Sequence, residues 1–388
     1  VASRTPRVPP RPIAPGDVVA TFCPELGEWS AAQIISVNDR SQEADVLDLG
    51  WSGPEPENVA DVGHLSALRL NHHGYRNALE QSHREWVLPR SYKNLGPAPL
   101  VRTEESATWS MGWDVGTQLH WQRRWDAGER EDLEDEPGFR QYEDGQELPP
   151  VTTAPEIRAL AIYAIQSVDC ALIASSFPNL TRLTIWGEMG SLLNASELNQ
   201  LQRMRRIDVH EMFGMTGHDV LDPARLNEME YISLDCVPVD YAGAVRRAWT
   251  PEAGKGVYLS ISKARTPEWV RENVDNPLRA WDGREGISSR TYKRALSAWK
   301  GSTRPIREAL QADIGEAERR EQLTALGAQF AEAFNEVAGP AHLLMTEERD
   351  ELLEALHRLV TDAAADTAVD AEEAALVVLH AVNTHRDW

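Results

Sequence analysis

Residues 179–187 read NLTRLTIWG. Leu180, Leu183 and Ile185 are apolar, and polar residues separate them until Trp186. Apolar residues alternating with polar ones are the pattern of a half-buried strand. The same spacing recurs along the chain. Ile157-x-x-Leu160-x-Ile162 precedes it, Met204-x-x-Ile207-x-Val209 and Met229-x-x-Ile232-x-Leu234 follow, and Leu259-x-Ile261 is a weaker last copy. The central apolar position moves from 160 to 183, 207, 232 and 259, in steps of 23, 24, 25 and 27 residues.

The segments between these strands carry helix-start signals. Asn194-Ala195-Ser196-Glu197 has the form of a capping box, and Asp222-Pro223 pairs an N-cap residue with proline at the first helical position. Residues 239–249 are a third helical segment. Strand, turn and helix at this period, with the motif L-x-x-L-x-L, resemble leucine-rich repeats, which recur at about 20–29 residues. The resemblance implies an α+β multidomain chain with a central βα solenoid over 151–265, whose units bury their apolar faces only against one another. It also implies a non-enzymatic scaffold that binds a protein partner. One departure is visible. The asparagine that usually follows each strand is absent, and Ile165, Glu188, Met212 and Val237 stand at or near its place.

If Leu183 and Ile185 point inward, the alternate residues face outward in three rows. The first is Ala159, Arg182, Arg206, Tyr231, Tyr258. The second is Ala161, Thr184, Asp208, Ser233, Ser260. The third is Tyr163, Trp186, His210, Asp235, Ser262. Trp, Tyr and Arg dominate binding hot spots. Arg182, Thr184, Trp186, Arg206, Asp208, His210, Tyr231, Ser233, Asp235 and Tyr258 are therefore the candidate partner-binding residues, on what the resemblance makes a concave face. Arg182 and Arg206 suit an acidic or aromatic epitope. The competing expectation is that the chain covers this face itself. Asp208, His210 and Asp235 could do acid–base work or hold a metal. No nucleophile or oxyanion site accompanies them, and Gly214 stands where a zinc-protease motif beginning at His210-Glu211 needs its second histidine. No catalytic residue, cofactor or metal is assigned.

Residues 1–15 form a Pro/Arg tail, and residues 16–125 a β-rich module. Gly16-Asp17-Val18-Val19-Ala20, the turn at Gly27-Glu28-Trp29, Ala31-Ala32-Gln33-Ile34 and Asp48-Leu49-Gly50-Trp51 resemble Tudor and SH3-like barrels over about forty residues. That resemblance implies a small β-barrel. It also opens an alternative function, a reader of modified peptide or nucleic acid through an aromatic cage of Phe22, Trp29 and Trp51, set against those rings filling the core. His64, His72, His73 and His83 lack metal-ligand spacing. Trp109, Trp113, Trp121 and Trp125, with Arg123 and Arg124, read as a unit sealing the barrel onto its neighbour. Residues 126–150 are an acidic linker, with ten carboxylates against two arginines over 126–147.

Residues 266–388 read as an α-helical module. Thr266-Pro267-Glu268-Trp269 opens a helix, 281–287 a turn, and Tyr292, Ala295, Leu296 and Trp299 share a helical face. Lys293, Arg294 and Lys300 form a basic cluster read as a solvated face. Three further apolar stripes follow, through Leu323–Val337, Leu352–Val360 and a helix capped at Asp370. The net charge is −22, which repels a phosphate backbone and argues against nucleic acid as the main partner. Three scattered cysteines form neither a disulfide framework nor a zinc knuckle. No signal-peptide pattern or membrane-spanning run is present. A cytoplasmic protein is expected, with a composition rich in Ala, Arg, Asp and Glu that suggests a bacterial source.

Overall fold

The computed structural model describes residues 12–102, 108–110, 112–129, 138–143, 153–339, 344–365 and 367–388. Most of the Pro/Arg tail and most of the acidic linker lie outside them, as does the Trp109 side chain. The chain divides into two units, Val1–Pro267 and Glu268–Trp388.

The first unit begins with an antiparallel sheet. Its strands are β1 (Asp17–Cys23), β2 (Glu28–Asn38) and β3 (Glu43–Gly53); then, after helix α1 (Val59–Val62) and the short pair β4 (Arg69–Leu70) and β5 (Ala78–Leu79), β6 (Gln81–Glu85), β7 (Lys93–Pro97) and β8 (Thr108–Ser110). The order is β7-β1-β2-β3-β6-β8. Val18 and Ala20 are buried with Ala31 and Leu49, while Val19, Ala32, Ile34 and Val46 pack into a second cluster that includes Ile13. No closed barrel forms among the described residues. The edge of β6 that closure would need is taken by β8, which runs parallel to it.

Helix α2 (Thr117–Asp126) leads to a second sheet. Its strands are β9 (Phe139–Tyr142), β10 (Ala159–Asp169), β11 (Arg182–Leu193), β12 (Arg206–Phe213), β13 (Tyr231–Asp235) and β14 (Tyr258–Ser262), in sequence order and all parallel. Leu160, Leu183, Ile207, Ile232 and Leu259 align in one register row. With Ile162, Ile185, Val209 and Leu234 they join a single core. Against that core pack α3 (Cys170–Ser176), which follows β10, and α4 (Val239–Trp249), which follows β13. Trp249 is fully buried, and its indole donates to the Leu221 carbonyl at 2.9 Å.

The leucine-rich repeat solenoid expected from the sequence is not supported. The repeated strands belong to one six-stranded parallel sheet, and the segments joining them do not repeat. Among the described residues, only the connections after β10 and β13 contain α-helix. Asn194 is left-handed and makes no side-chain cap, so 195–200 is a 3-10 helix. Asp222 does accept from the Ala224 amide at 2.9 Å, but Arg225 and Leu226 both return to the Asp222 carbonyl and the turn does not propagate. Within β11 the register with β12 jumps between Trp186 and Gly190. Part of the expected acidic linker, Phe139–Tyr142, is instead the edge strand β9.

The second unit is helical: α5 (Pro267–Asn273), α6 (Ser289–Gln311), α7 (Glu316–Ala338), α8 (Thr346–Ala364) and α9 (Ala371–His385). Ser288 caps α6 and Asp370 caps α9 through their side chains. Trp281, Trp299, Phe330, Phe334 and Val378 share the core. Arg284 holds the start of α8 through Glu348 at 3.1 Å and Glu351 at 2.7 Å. Arg294, from the basic cluster, donates to the Glu336 carbonyl.

The jump in β11 depends on two glycines. A Cβ at Gly190 would lie 2.3 Å from the Ile165 carbonyl oxygen, and one at Gly187 2.2 Å from Met212 Sδ. Gly190→Ala should therefore cost ~1–3 kcal/mol as overpacking against backbone. Gly254→Ala, where nothing lies within 4 Å, should be nearly neutral. Urea midpoints of the two variants check this.

Candidate functional site

The strand register aligns Ala159, Arg182, Arg206, Tyr231 and Tyr258 in one row, Ala161, Thr184, Asp208, Ser233 and Ser260 in the next, and Tyr163, Trp186, His210, Asp235 and Ser262 in the third. The first and third rows have different fates.

The first row is engaged by the antiparallel sheet. Arg206 places its guanidinium carbon 3.7 Å from the centre of the Tyr231 ring, which stacks on Tyr258 at 5.2 Å. Its Nη1 lies 3.7 Å from Glu85, and a Cβ at Gly112 would meet it at 2.3 Å. Arg182 reaches Asp114 at 3.6 Å. Nearby, Ser91 donates its amide to Glu230 at 2.9 Å, and Arg90 bonds the Asn227 carbonyl at 2.5 Å and Glu252 at 3.2 Å. Burial raises the Glu85 carboxyl above its ordinary value, and Arg206 opposes that rise.

Residues 112–116, which make several of these contacts, are themselves fixed by a buried ion pair. Arg84 on β6 and Asp48 on β3 meet at 3.0 Å, each side chain 2% exposed. Arg84 also donates to the Gly112 carbonyl at 2.6 Å. The Gly116 amide points at Asp48 at 3.5 Å, and the Val115 amide bonds the Tyr92 hydroxyl at 3.2 Å. Trp113 donates to the Glu85 carbonyl at 2.9 Å and packs edge-on to Tyr92. Asp48, Arg84, Asp114 and Glu85 lie far in sequence from the parallel strands, whose periodicity carries no sign of them. One local signal existed. Asp48 interrupts the apolar run Val46-Leu47-Leu49, and a charged residue in a buried strand needs a partner.

The third row is open. Trp186 is 48% exposed, with Tyr163 perpendicular to it at 5.7 Å on one side and His210 at 5.8 Å on the other. His210 Nε2 lies 3.0 Å from Asp235, which also accepts the Ser262 hydroxyl and has Lys263 at 3.9 Å. Burial alone would raise the Asp235 carboxyl. The bonds from His210 and Ser262 and the Lys263 charge outweigh it and hold the group at about 2. Asp208 behaves oppositely: burial raises it, against bonds from Ser233 and Trp186 and the charge of Arg206.

The backbone marks this row as well. Ala164, Glu211, Cys236 and Lys263 each follow a third-row residue directly, and all are left-handed, with φ of 50°, 53°, 54° and 43°. Non-glycine residues in that region cost roughly 1–2 kcal/mol each. Such strain persists where the surrounding structure enforces it and is concentrated at functional sites.

Chemically, the row is poorly arranged for hydrolysis. Asp235 sits between His210 and Ser262, so the hydroxyl faces a carboxylate, not the imidazole that would take its proton. Among the described residues, no group of three or more His, Cys, Asp or Glu side chains could hold a metal. His72 and His73 bond each other at 2.7 Å through their Nδ1 atoms, and His83 pairs with Asp45. Of the expected cage residues, Trp29 and Trp51 pack on the core beside Leu49, and the Trp29 ring lies 5.1 Å from the Lys93 ammonium. Phe22 is exposed.

The chain was compared with known protein families, characterised proteins and solved structures, and none matches. Among the described residues, no helix is long and apolar enough to cross a membrane.

Two predictions follow from these contacts. Asp48→Ala leaves Arg84 buried without its counter-ion and should cost ~3–5 kcal/mol, whereas replacing both by apolar residues should cost much less; chemical denaturation of the single and double variants tests the difference. For Asp235, a lowered folded-state pKa means stabilisation present above the ordinary carboxylate value and lost as pH falls through about 2. The stability gap between wild type and Asp235→Asn should be ~1–2 kcal/mol at neutral pH and shrink steadily from about pH 4 downward. Urea titrations at several pH values measure that gap.

Proposed function

We propose that the open third row of the parallel sheet is the docking surface of a non-enzymatic protein-recognition module. The observation that carries this reading is Trp186: a large ring, half exposed, yet held between Tyr163 and His210 in a row of aligned strands. A pre-ordered aromatic loses little freedom on binding, which is why Trp and Tyr anchor interfaces. Left-handed residues follow four of the five row positions, and Ala164 and Glu211 among them sit at the register shifts of β10 and β12.

Two other readings have less support. An acid–base site at Asp208, His210 and Asp235 has the 3.0 Å imidazole–carboxylate contact in its favour, but the Ser262 hydroxyl is bonded to the Asp235 carboxylate and not to the imidazole. A reader of modified peptides at Phe22, Trp29 and Trp51 has one exposed ring and two packed ones.

The test is differential affinity capture, followed by mass spectrometry, with wild type, Trp186→Ala and Leu376→Ala. Leu376 is an exposed apolar residue on α9 and serves as the control. A hot-spot loss of ~2 kcal/mol corresponds to about a thirtyfold drop in affinity. Partners retained by wild type and Leu376→Ala should be lost from Trp186→Ala. Equal recovery by all three would remove the docking reading.

A further inference from the structure

We infer that the third row receives a cationic side chain, the guanidinium or ammonium group of an arginine- or lysine-bearing segment of a partner protein, seated on Trp186 and Tyr163 and facing the carboxylates of Asp208 and Asp235. This rests on the docking reading above and names the chemistry of its partner.

The charges decide the polarity. Read from sequence, Arg182 and Arg206 gave this face a positive character. In the fold both are committed to carboxylates of the same chain, Asp114 and Glu85, and Arg206 lies against Tyr231 beneath Gly112. They also stand four residues along the strand from the third row, roughly 13 Å at strand rise. What remains near Trp186 is acidic. Asp208 lies one row away and interacts with the Trp186 side chain, and Asp235 is two strands over.

The rings add to this. The faces of Trp and Tyr are electron-rich and attract a cation within about 6 Å, with Trp the best of the aromatic side chains. Trp186 and Tyr163 meet at 87°, so together they offer two walls of different orientation. Asp208 is partly buried, and a carboxylate that has lost hydration gains more from an arriving cation than an exposed one does. Lys263, which follows the β14 end of the row, pairs with Asp235 at 3.9 Å, so an arriving cation shares that carboxylate with it. The whole chain, at −22, draws basic partners and repels acidic ones at long range.

The experiment uses the full chain labelled with ¹⁵N at its tryptophan indoles, in about 150 mM salt to screen diffuse attraction. The Trp186 resonance is identified as the one lost in Trp186→Phe. The probes are a six-residue peptide alternating glycine and arginine, and its glutamate counterpart. The arginine peptide should shift the Trp186 resonance saturably, and the glutamate peptide should leave it in place. Joint replacement Asp208→Asn and Asp235→Asn should weaken the arginine peptide by about tenfold or more. Lys263→Ala should tighten it a few-fold, which tests the same charge balance should the double variant fail to fold. A Trp186 resonance unmoved by the arginine peptide, or moved equally by the glutamate one, overturns the inference. So does an affinity indifferent to these substitutions. If Trp186-dependent capture persists alongside such a result, the docking reading stands and the cation is wrong; if capture ignores Trp186, the docking reading itself has failed.

Discussion

The arrangement of the first unit depends on the Arg84–Asp48 ion pair. Removing two charges from water is expensive, and a pair with 2% exposure on both sides is stabilised by the further hydrogen bonds its members make. Here the Gly112 carbonyl and the Gly116 amide contribute to that, so the pair ties β3 and β6 to residues 112–116. Those residues in turn bring Asp114 to Arg182 and lay Gly112 over Arg206. Glu80 lies close by, held up to about 7 first by burial and then by the Asp48 charge. Burial also raises the Asp48 carboxyl above its ordinary value, and the Arg84 charge and the Gly116 amide oppose that rise. A contact inside one sheet thus sets the surface of the other.

The consequence is a division along the same strands. At the start of each strand the side chains face the antiparallel sheet, and their arginines are neutralised there. Four residues on, the side chains face outward, and the aromatic and acidic ones remain. A sheet face with uniform exposure would have presented both sets together. The division separates the paired arginines of the first row from the aromatic and carboxylate side chains around Trp186.

Much of this was legible in the chain. The period-two alternation of NLTRLTIWG and its four relatives identified the strands, their inward residues and their mutual alignment, because each apolar row must bury itself next to its neighbour's. The same pattern overreached when it was extended to a solenoid, since periodicity reports which strand residues are buried and says nothing about whether the connections repeat. Asn194 and Asp222 illustrate the gap: both are good helix-starting residues, yet one adopts a left-handed turn and the other ends after a single turn. The barrel expectation failed for a related reason. Local turns specify hairpins, but closure is decided by which strand reaches the last free edge, and here that strand is β8. The partners of Arg182 and Arg206 were hidden because they lie at positions 114 and 85, and no local pattern encodes a contact across such separations.

The third row also clarifies what the site is suited to do. In a Ser-His-Asp triad the imidazole stands between its carboxylate and the group it deprotonates. In this row the carboxylate stands in the middle, so His210 and Ser262 both serve to hold Asp235 ionised and in place. A carboxylate at about 2 is a weak base but a persistent anion. Past the row β13 and β14 end, while β10, β11 and β12 resume pairing in a shifted register. Fixed negative charge beside an ordered, half-exposed tryptophan is an arrangement for holding a positive group, and it needs no proton transfer to do so.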